Sequence, residues 1–543
     1  MCGLFFQISS KEKFDLNFDN KLEELMGGRG PDAFNVTKFS LSNDFEAYFA
    51  HSRLAITGVH SAMKQPLECK QFIMMLNGEI YNYRELSSKY LNGAHQESDT
   101  NVLFHLVNKL GFEDTVKQIQ GMYSIVHFDK TNAKLSMHRD PFGQKPLYVY
   151  DDDSELVVCS EPRYLSSLDK KLTINLDKSN EILSLGYRFR YLQNTTEIEN
   201  LVSLPRDKIV SIYCSNDFRG LLTTVPVKKI NEQGNRQLNC VISDSILSMI
   251  PQEVPYALPL SSGVDSNCIL ETVIKNKKFE NLVGTYTVVS SDQRYDETKY
   301  LEDTINYLQN LGIKHTKIYA PCGQEAFEIM KKMVKQRMGM ITGLNAVGQF
   351  NLFSAMKSDG AKVSISGIGA DEVFSGYYDH YNLFMADNID KKVEDNWDTN
   401  IRPIVRNKWL KEKFFFRKYP DFAGHILENK SDFKNLFHKK ACPVTLDKTT
   451  HNTQLRVRMS HELHTETVPN VLRDEDFNSM YHMIESRAPF LAEDVIDAAG
   501  KLEETTLFEL GLAKSPLRKY GLSLNNNNDA FMRAHKIGFN LSF

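Results

Sequence analysis

Short apolar segments separated by turns make up most of the first 200 residues, a pattern typical of β-strands. Turn sequences such as Asn77-Gly78 and Asp140–Gly143 separate these segments. Apolar residues at helical spacing predict one helix over Tyr83–Leu91 and another between Ser98 and Gly111. The predicted strands are Leu4–Ile8, Phe72–Leu76, Met122–Phe128, Lys134–His138, Leu147–Tyr150 and Leu156–Cys159. Together these elements predict an α+β layered domain over residues 1–200.

The pattern changes beyond residues 201–235, which we interpret as connecting strands and a polar linker. The predicted strands are then Tyr256–Leu260, Leu282–Val289, Lys314–Tyr319 and Lys362–Ser366, and the predicted helices are Asn267–Lys275 and Glu297–Leu311. Strands and helices that alternate in this way predict an α/β doubly wound parallel sheet over residues 236–543. Ligands bind such sheets beyond the carboxyl ends of the strands, where the turns Ser261–Ser266 and Gly367–Asp371 fall.

Residues 380–460 are polar and mixed in charge, and we expect helices with long connections there. The basic aromatic stretch Lys408–Lys418 could contact RNA, but a helix with a solvated charged face and a packed aromatic side is the favoured interpretation. The histidines of His461–His464 are one residue short of the spacing in a zinc-binding H-E-x-x-H motif. We therefore interpret this segment as ordinary helix.

Composition excludes several classes of function. The 543 residues carry 65 Lys plus Arg and 69 Asp plus Glu, a net charge of −4, which excludes a dominant basic surface for nucleic acid. There is no apolar run of the roughly 18–20 residues that would cross a membrane, and the start lacks the features of a signal peptide, so we expect a cytoplasmic protein. The eight cysteines never form a C-x-x-C pair, which argues against disulfides and structural zinc.

Cys2 is the cysteine whose position suggests chemistry. Removal of Met1 would place a free α-amine, with a pKa of about 8, beside the thiol. One residue would then supply both a nucleophile and its base. Taken alone, however, Cys2 is better interpreted as an ordinary N-terminal residue.

Five short motifs that follow Cys2-Gly3 in order change that interpretation. They are Arg29–Asp32, His51–Ile56, Asn77–Tyr83, Ser98–Thr100 and Arg139–Gly143. Together they closely resemble the N-terminal-nucleophile, or class II, glutamine amidotransferase domain, which has an αββα layered fold. The resemblance implies that Cys2 attacks the side-chain amide of L-glutamine and that Asn77 and Gly78 hold the oxyanion. It also implies the remaining glutamine-binding residues: Arg53 for the carboxylate, Glu79 and Asp99 for the ammonium, with Leu54 and Ile56 beside them.

A second chemical signal is the small-residue turn Ser261–Ser266 between a predicted strand and helix. Small residues let backbone N–H groups approach a phosphate at a helix N-terminus, and Asp265 can hold Mg²⁺ against it. No Walker A sequence exists in the chain. The turn instead resembles the S-G-G-x-D-S loop of ATP pyrophosphatases, with Ser262 in place of a glycine. Serine fits there if its φ angle is negative.

Three later segments resemble the glutamine-hydrolysing asparagine synthetase B family, so that the likeness covers nearly the whole chain. These segments are Ser366–Tyr377, Arg473–Met480 with Glu485–Leu491, and Arg533–Phe539. The resemblance implies Mg²⁺ ligands at Asp265 and Asp371 and a lysine, Lys536, that stabilises charge on the phosphates. The ATP-binding residues that it implies are Leu260, Ser261, Ser262, Gly263, Asp265, Ser266, Val288, Ser366 and Gly367.

The reaction implied by this resemblance belongs to a ligase of amino-acid biosynthesis. Ammonia from glutamine would pass through an internal tunnel and displace AMP from an acyl-adenylate, with aspartate as the expected acceptor. Two departures bear on that acceptor: Ile368 replaces the family's glutamate, and Asn345 lies near the place of an arginine that helps to hold aspartate. Both changes remove charge, so a sugar acid or another small carboxylate is an alternative acceptor.

Two other classes of protein remain as alternatives. A nucleic-acid-modifying ATP pyrophosphatase would share the adenylating loop, but Cys2 and the near-neutral charge argue against it. A non-enzymatic descendant, or a member with a degenerate synthetase site, is favoured only by Ile368, since Cys2 and Asp265 are both present. The sequence leaves the oligomeric state open, with a homodimer as one option.

Overall fold

The structure is a computed structural model that describes most of the chain. The described residues are 2–42, 44–59, 64–152, 155–168, 170–185, 194–214, 223–227, 236–290, 297–341, 343, 345–405, 411–419 and 452–534. Lys536 therefore lies outside the described residues. Within them, no helix is both long enough and apolar enough to cross a membrane.

The elements lie in two blocks along the chain. The strands are β1 (Gly3–Ser10), β2 (Ala33–Ser40), β3 (Phe45–Arg53), β4 (Leu67–Glu68), β5 (Phe72–Ile80), β6 (Gly121–Asp129), β7 (Lys134–Arg139), β8 (Tyr148–Asp152), β9 (Glu155–Cys159), β10 (Leu201–Ser203), β11 (Lys208–Tyr213), β12 (Thr223–Pro226), β13 (Tyr256–Pro259), β14 (Leu282–Val289), β15 (His315–Tyr319), β16 (Val363–Ile365) and β17 (Glu485–Arg487). The α-helices are α1 (Leu16–Gly27), α2 (Tyr83–Leu91), α3 (Asp99–Leu110), α4 (Phe112–Val116), α5 (Leu176–Leu185), α6 (Leu238–Ser248), α7 (Val264–Lys275), α8 (Glu302–Asn310), α9 (Gly323–Arg337), α10 (Asn345–Ser358), α11 (Ala370–Phe374), α12 (Tyr378–Asp387), α13 (Lys391–Asn396), α14 (Phe415–Lys418), α15 (Gln454–His461), α16 (Val468–Tyr481), α17 (Glu493–Gly500), α18 (Glu504–Leu507) and α19 (Ser515–Leu524).

Strands β1–β12 form two six-stranded sheets, in the orders β10-β8-β9-β1-β3-β2 and β12-β11-β7-β6-β5-β4. Apolar side chains of both sheets, such as Phe6 and Phe128, share one core between them. The outer face of one sheet packs against α2 and α3, and the outer face of the other packs against α1. Because successive side chains point to opposite faces of a sheet, both faces of each sheet are buried. The result is a helix–sheet–sheet–helix stack.

The strand-by-strand prediction for this region needs correction at Asn77-Gly78, which is not a turn. Both residues lie inside β5, where Gly78 is paired with Tyr123 of β6. The strands β2 and β3 and the helix α1 were not predicted from the sequence pattern. β2 is an edge strand whose residues are only partly buried, so it lacks a clear apolar alternation.

The second block is built around a five-stranded parallel sheet in the order β15-β14-β13-β16-β17. One face packs against a large core that includes α6, α7 and α19, and the other face packs against α10. This two-sided packing explains why most residues of β13 and β14 are buried. The carboxyl ends of β13 and β16 lead directly into the turns at 260–266 and 366–369.

The described part of the basic aromatic stretch, residues 411–418, agrees with the packed-helix interpretation. Phe415 and Phe416 are buried in a core with Trp397, whereas Lys411, Arg417 and Lys418 are exposed.

Candidate active sites

The backbone of Cys2 is held from two sides at the start of β1. Its N–H donates to Asn77 Oδ1 (3.0 Å), and its carbonyl oxygen accepts from Nε of the fully buried Arg29 (3.1 Å). Burial raises the pKa of the Cys2 thiol. A base close to this thiol is therefore needed to generate the nucleophilic thiolate.

Asn77 and Gly78, the two residues predicted to hold the oxyanion, lie next to each other in β5 near Cys2. The amide nitrogen Nδ2 of Asn77 is buried and has no hydrogen-bond partner among the described residues, although buried donors are nearly always paired. Gly78 has φ +138°, and a Cβ there would lie 2.6 Å from the Cα of Tyr123. Only glycine fits this position. A preorganised, unpaired donor next to the nucleophile is suited to a developing oxyanion.

A cavity of about 50 Å³ opens at Cys2 and is lined by six of the seven residues predicted to bind glutamine, all except Asn77. These lining residues are Arg53, Leu54, Ile56, Gly78, Glu79 and Asp99. Thr57, Gln65, Ser98, Thr100 and Glu485 also line the cavity, and the sequence analysis gave them no role. Glu485 comes from the second block of the chain, so the lining of the Cys2 cavity is completed by the other domain.

Asp99 and Glu79 are buried acids in this cavity. Asp99 accepts hydrogen bonds from the N–H groups of Ile80 (3.0 Å) and Thr100 (2.7 Å), whereas Glu79 accepts from the Thr57 hydroxyl (2.9 Å). Burial raises the pKa of Glu79 to about 7 and also raises the pKa of Asp99. An ammonium group bound near both carboxylates would favour their ionised forms.

The short strand β17 touches both candidate sites. Glu485 lines the Cys2 cavity, and Arg487 pairs with Glu79 and donates through Nε to Glu485 (2.8 Å). On the other side, the carbonyl oxygen of Arg487 accepts the N–H of Ser366 (2.9 Å), at the predicted nucleotide site. The sequence motif marked Arg487 without revealing this contact between the domains.

The turn predicted to hold phosphates is closed by its own hydroxyls. Ser261 N–H donates to Ser266 Oγ (3.1 Å), and Gly263 N–H donates to Ser261 Oγ (3.2 Å). Ser262 has a negative φ, so serine fits without backbone strain. Its N–H donates to a carboxylate oxygen of Glu297 (2.7 Å). The turn therefore already receives an anionic group at the N-terminus of α7.

The other predicted nucleotide residues lie at the carboxyl ends of neighbouring strands. Leu260 is buried and donates its N–H to the carbonyl oxygen of Tyr286 in β14 (2.7 Å), and Val288 lies later on that strand. A Cβ on Gly367 would lie 2.7 Å from Asp265 Cβ, so the two turns are in direct contact there. Ser366 precedes Gly367 at the end of β16.

Asp265 and Asp371, the predicted Mg²⁺ ligands, converge on a single cation of this chain. The ammonium of Lys514 lies 2.7 Å from both carboxylate oxygens of Asp265 and 2.6 Å from Asp371 Oδ1. Carboxylate oxygens are the protein ligands that Mg²⁺ prefers, usually one or two of them together with phosphates. The pair therefore fits Mg²⁺, with Lys514 balancing its charge here.

A cavity of about 40 Å³ beside this pair is lined by three cations, Lys514, Arg518 and Arg533. Arg533 donates to the carbonyl oxygen of Ser262 (3.0 Å), and Arg518 donates to that of Ala513 (2.7 Å). The sequence analysis missed Lys514 and Arg518. Pro516 marks the start of α19, but no local pattern identifies the lysine before it as a binding residue.

The two residues that depart from the family pattern are both uncharged. Asn345 begins α10, and Ile368 is partly buried against the large apolar core of the second domain.

The segment His461–His464 takes part in packing and ion pairs. Glu462 accepts from His380 (2.8 Å) and pairs with Arg458 (2.9 Å), which also lies 3.6 Å from Asp379. Asp379, His380 and Glu462 are close enough together to hold a metal ion. The Arg458 guanidinium already supplies their positive charge, which disfavours a cation there.

Comparisons with known proteins found similarity in both blocks of the chain. Residues 1–213 match the family model of the glutamine amidotransferase domain, and residues 237–543 match that of asparagine synthase. A putative asparagine synthetase (glutamine-hydrolyzing) 2 of Methanocaldococcus jannaschii is 28% identical over 420 residues, 72% of this chain and 78% of that protein. Asparagine synthetase (glutamine-hydrolyzing) 1 of Bacillus subtilis is 23% identical, over 96% of this chain and 84% of its own length. The human asparagine synthetase (glutamine-hydrolyzing) is 22% identical, over 69% and 67% respectively.

Proposed function

Because this chain belongs to the asparagine synthase family, we propose that it is a glutamine-dependent, ATP-driven ligase that converts a carboxylate into an amide. Glutamine would be hydrolysed at Cys2, and the carboxylate would be adenylated between the turns at 260–266 and 366–369. The products would be glutamate, AMP, pyrophosphate and the amide.

In the proposed glutaminase step, removal of Met1 leaves the Cys2 amine free to take the thiol proton. The thiolate attacks the side-chain amide carbon of glutamine, and the oxyanion receives hydrogen bonds from Asn77 Nδ2 and the N–H of Gly78. The amine returns the proton to the leaving ammonia, and water later hydrolyses the thioester. Arg53 pairs with the substrate carboxylate, whereas Glu79 and Asp99 receive its ammonium.

In the proposed synthetase step, the acceptor carboxylate attacks the α-phosphorus of ATP and pyrophosphate leaves. Asp265 and Asp371 are proposed to hold Mg²⁺, which would neutralise charge on the phosphates. Lys514, Arg518 and Arg533 line the cavity into which the pyrophosphate would fit, and we assign Lys536 to the same task. The charges in this cavity suit the leaving group.

The observation that carries this proposal is the position of β17. Glu485 lines the cavity at Cys2, and two residues later the carbonyl oxygen of Arg487 binds Ser366 at the nucleotide turn. The proposed glutaminase site and the proposed adenylation site thus share one three-residue strand. This supports the transfer of ammonia inside the chain.

Aspartate is the proposed acceptor, and the product would be asparagine. A different small carboxylate, such as a sugar acid, is a second candidate because Ile368 and Asn345 supply no charge for the α-amino acid groups of aspartate. These two residues are the only reason to consider it.

The test is pyrophosphate release with Mg-ATP and free ammonia over a panel of carboxylates, with the amide product identified by mass spectrometry. Release stimulated by aspartate, with asparagine formed, supports the first candidate. Release with a sugar acid alone supports the second. Glutamine hydrolysis without pyrophosphate release for any carboxylate would refute the ligase and indicate a degenerate synthetase site.

A further inference from the structure

Helix α16 carries three consecutive buried acids, and the middle one differs from its neighbours. Asp474 pairs with Arg337 (2.6 Å), and Asp476 pairs with Arg29 of the other domain (2.7 Å). The carboxylate of Glu475 accepts its hydrogen bonds from neutral groups, the Ser486 hydroxyl (2.7 Å) and the Gln349 amide. A structural role in ion pairs explains Asp474 and Asp476 but not Glu475.

Burial of Glu475 in this way is unfavourable for the stability of the fold. Its side chain is 4% exposed, and a carboxylate without an arginine or lysine directly bound loses much of its hydration without full compensation. Burial raises the pKa of Glu475 to about 7. Acids whose pKa lies near the working pH are concentrated at functional sites, because they can both take up and release a proton.

Two charged groups, Lys145 and Asp474, shift the pKa of Glu475 in opposite directions. Lys145, from the turn after β7, lowers the pKa of Glu475, and Asp474 on the same helix raises it. The Lys145 ammonium itself donates to the carbonyl oxygen of Ser486 (3.3 Å). Arg337 and Arg29 are engaged with the two flanking acids.

Glu475 lies where helix α10, the predicted nucleotide turn and the glutaminase domain meet. Gln349, its partner, is on α10, the helix that Asn345 begins, and Ser486 is the central residue of β17. The buried Ser366 hydroxyl lies close enough to Glu475 to lower its pKa, and it has no hydrogen-bond partner among the described residues. Ammonia that passes β17 toward the acyl-adenylate would therefore reach this carboxylate.

We propose that Glu475 is the catalytic base of amide formation, an assignment that rests on the proposed ligase function. The ammonia lone pair forms the C–N bond at the carbonyl carbon of the acyl-adenylate. The bond from that carbon to the phosphate oxygen breaks, and AMP leaves with its electron pair. The nitrogen loses one proton to the carboxylate of Glu475, which later releases it to solvent.

The other candidate acids are less suited to this step. Ile368, in the turn itself, cannot accept a proton. Glu372 accepts a hydrogen bond from Tyr377 (2.5 Å) and adjoins Asp371, which places it on the phosphate side. Glu485, at the Cys2 cavity, is paired with Arg487 (2.8 Å), whereas Glu475 has no cation of the described residues bound directly to it.

The test compares Glu475→Gln with wild type in three assays: glutaminase activity, carboxylate-dependent ATP–pyrophosphate exchange, and amide synthesis from ammonia. We expect amide synthesis to fall at least about 100-fold, the usual contribution of a general base, while the other two activities are kept. The control is Glu271→Gln, which alters a buried acid bound by Asn525 and Asn528 and should leave all three activities unchanged.

The pH dependence provides a second readout that a structural role would not alter. The rate of wild-type amide synthesis is divided by the concentration of unprotonated ammonia at each pH. This corrected rate should rise with pH through about 7, because only the ionised carboxylate of Glu475 accepts a proton. Ser486→Ala removes a hydrogen bond that favours the ionised form, so the rise should move to higher pH. This variant keeps the carboxylate and tests the proposal even if Glu475→Gln does not fold.

Three results would overturn the assignment alone: wild-type amide synthesis in Glu475→Gln, an equal loss of exchange and synthesis, or an unmoved pH profile in Ser486→Ala. If the wild-type protein makes no amide from any carboxylate, the proposed function fails first and the assignment falls with it.

Discussion

Replacement of Lys514 by methionine tests the predicted metal site. The substitution removes the ammonium that bridges Asp265 and Asp371 but keeps a side chain of similar length. Loss of one partner from a buried ion pair costs about 3–5 kcal/mol. Because both carboxylates keep 16% exposure, we expect the lower value, about 3 kcal/mol. At about 2 °C per kcal/mol, the Tm of the second domain should fall by about 6 °C.

Magnesium should reverse most of this loss. The two carboxylates left by Lys514→Met have the oxygen ligands that Mg²⁺ prefers and no competing cation between them. Binding at 100 times the Kd would stabilise the folded variant by about 2.7 kcal/mol. Scanning calorimetry without nucleotide should therefore show a larger rise in Tm on addition of Mg²⁺ for the variant than for wild type.

A matched control is Lys413→Met. Lys413 also bridges two acids, Glu394 (3.1 Å) and Asp398 (2.7 Å), but at the surface. Its loss should cost less than about 1 kcal/mol and create no specific response to Mg²⁺. The reasoning is refuted if Mg²⁺ raises the Tm of wild type and Lys514→Met equally, or if Lys514→Met is as stable as wild type without Mg²⁺.

The remaining predictions concern the glutaminase site. Cys2→Ala should abolish the use of glutamine but leave ammonia-dependent synthesis intact, and loss of both would indicate misfolding or a wrong role for Cys2. Asn77→Ala should lower the glutaminase kcat about 100- to 1,000-fold, with ammonia-dependent synthesis as the internal control; a change confined to KM would contradict the oxyanion role. Burial raises the pKa of Glu79 to about 7, so Glu79 is increasingly neutral below that pH. The KM for glutamine should therefore fall as the pH rises through about 7, and a KM independent of pH would contradict the ammonium contact.

Much of the secondary structure could be predicted because the spacing of apolar residues and the residues that favour turns are properties of short stretches of sequence. The helix Tyr83–Leu91 and the strand Leu282–Val289 have the bounds that the sequence predicts. The prediction of a turn at Asn77-Gly78 was wrong because this pair is a common turn sequence. Here the glycine is required instead by the close approach of the Tyr123 backbone. Edge strand β2 was missed because partial exposure blurs its apolar pattern.

The sequence by itself determined the two-part organisation of this protein, the family resemblance, and the residues expected around Cys2 and in the turn 260–266. Each motif of this kind is a short run of neighbouring residues, so the sequence alone reveals it. Only the tertiary structure decided which distant groups meet: Lys514 with Asp265, Arg487 with Glu79, and Glu475 with Ser486. The physical reason is that a buried charge is stabilised by whatever partner the packing brings to it, and no local spacing encodes that partner.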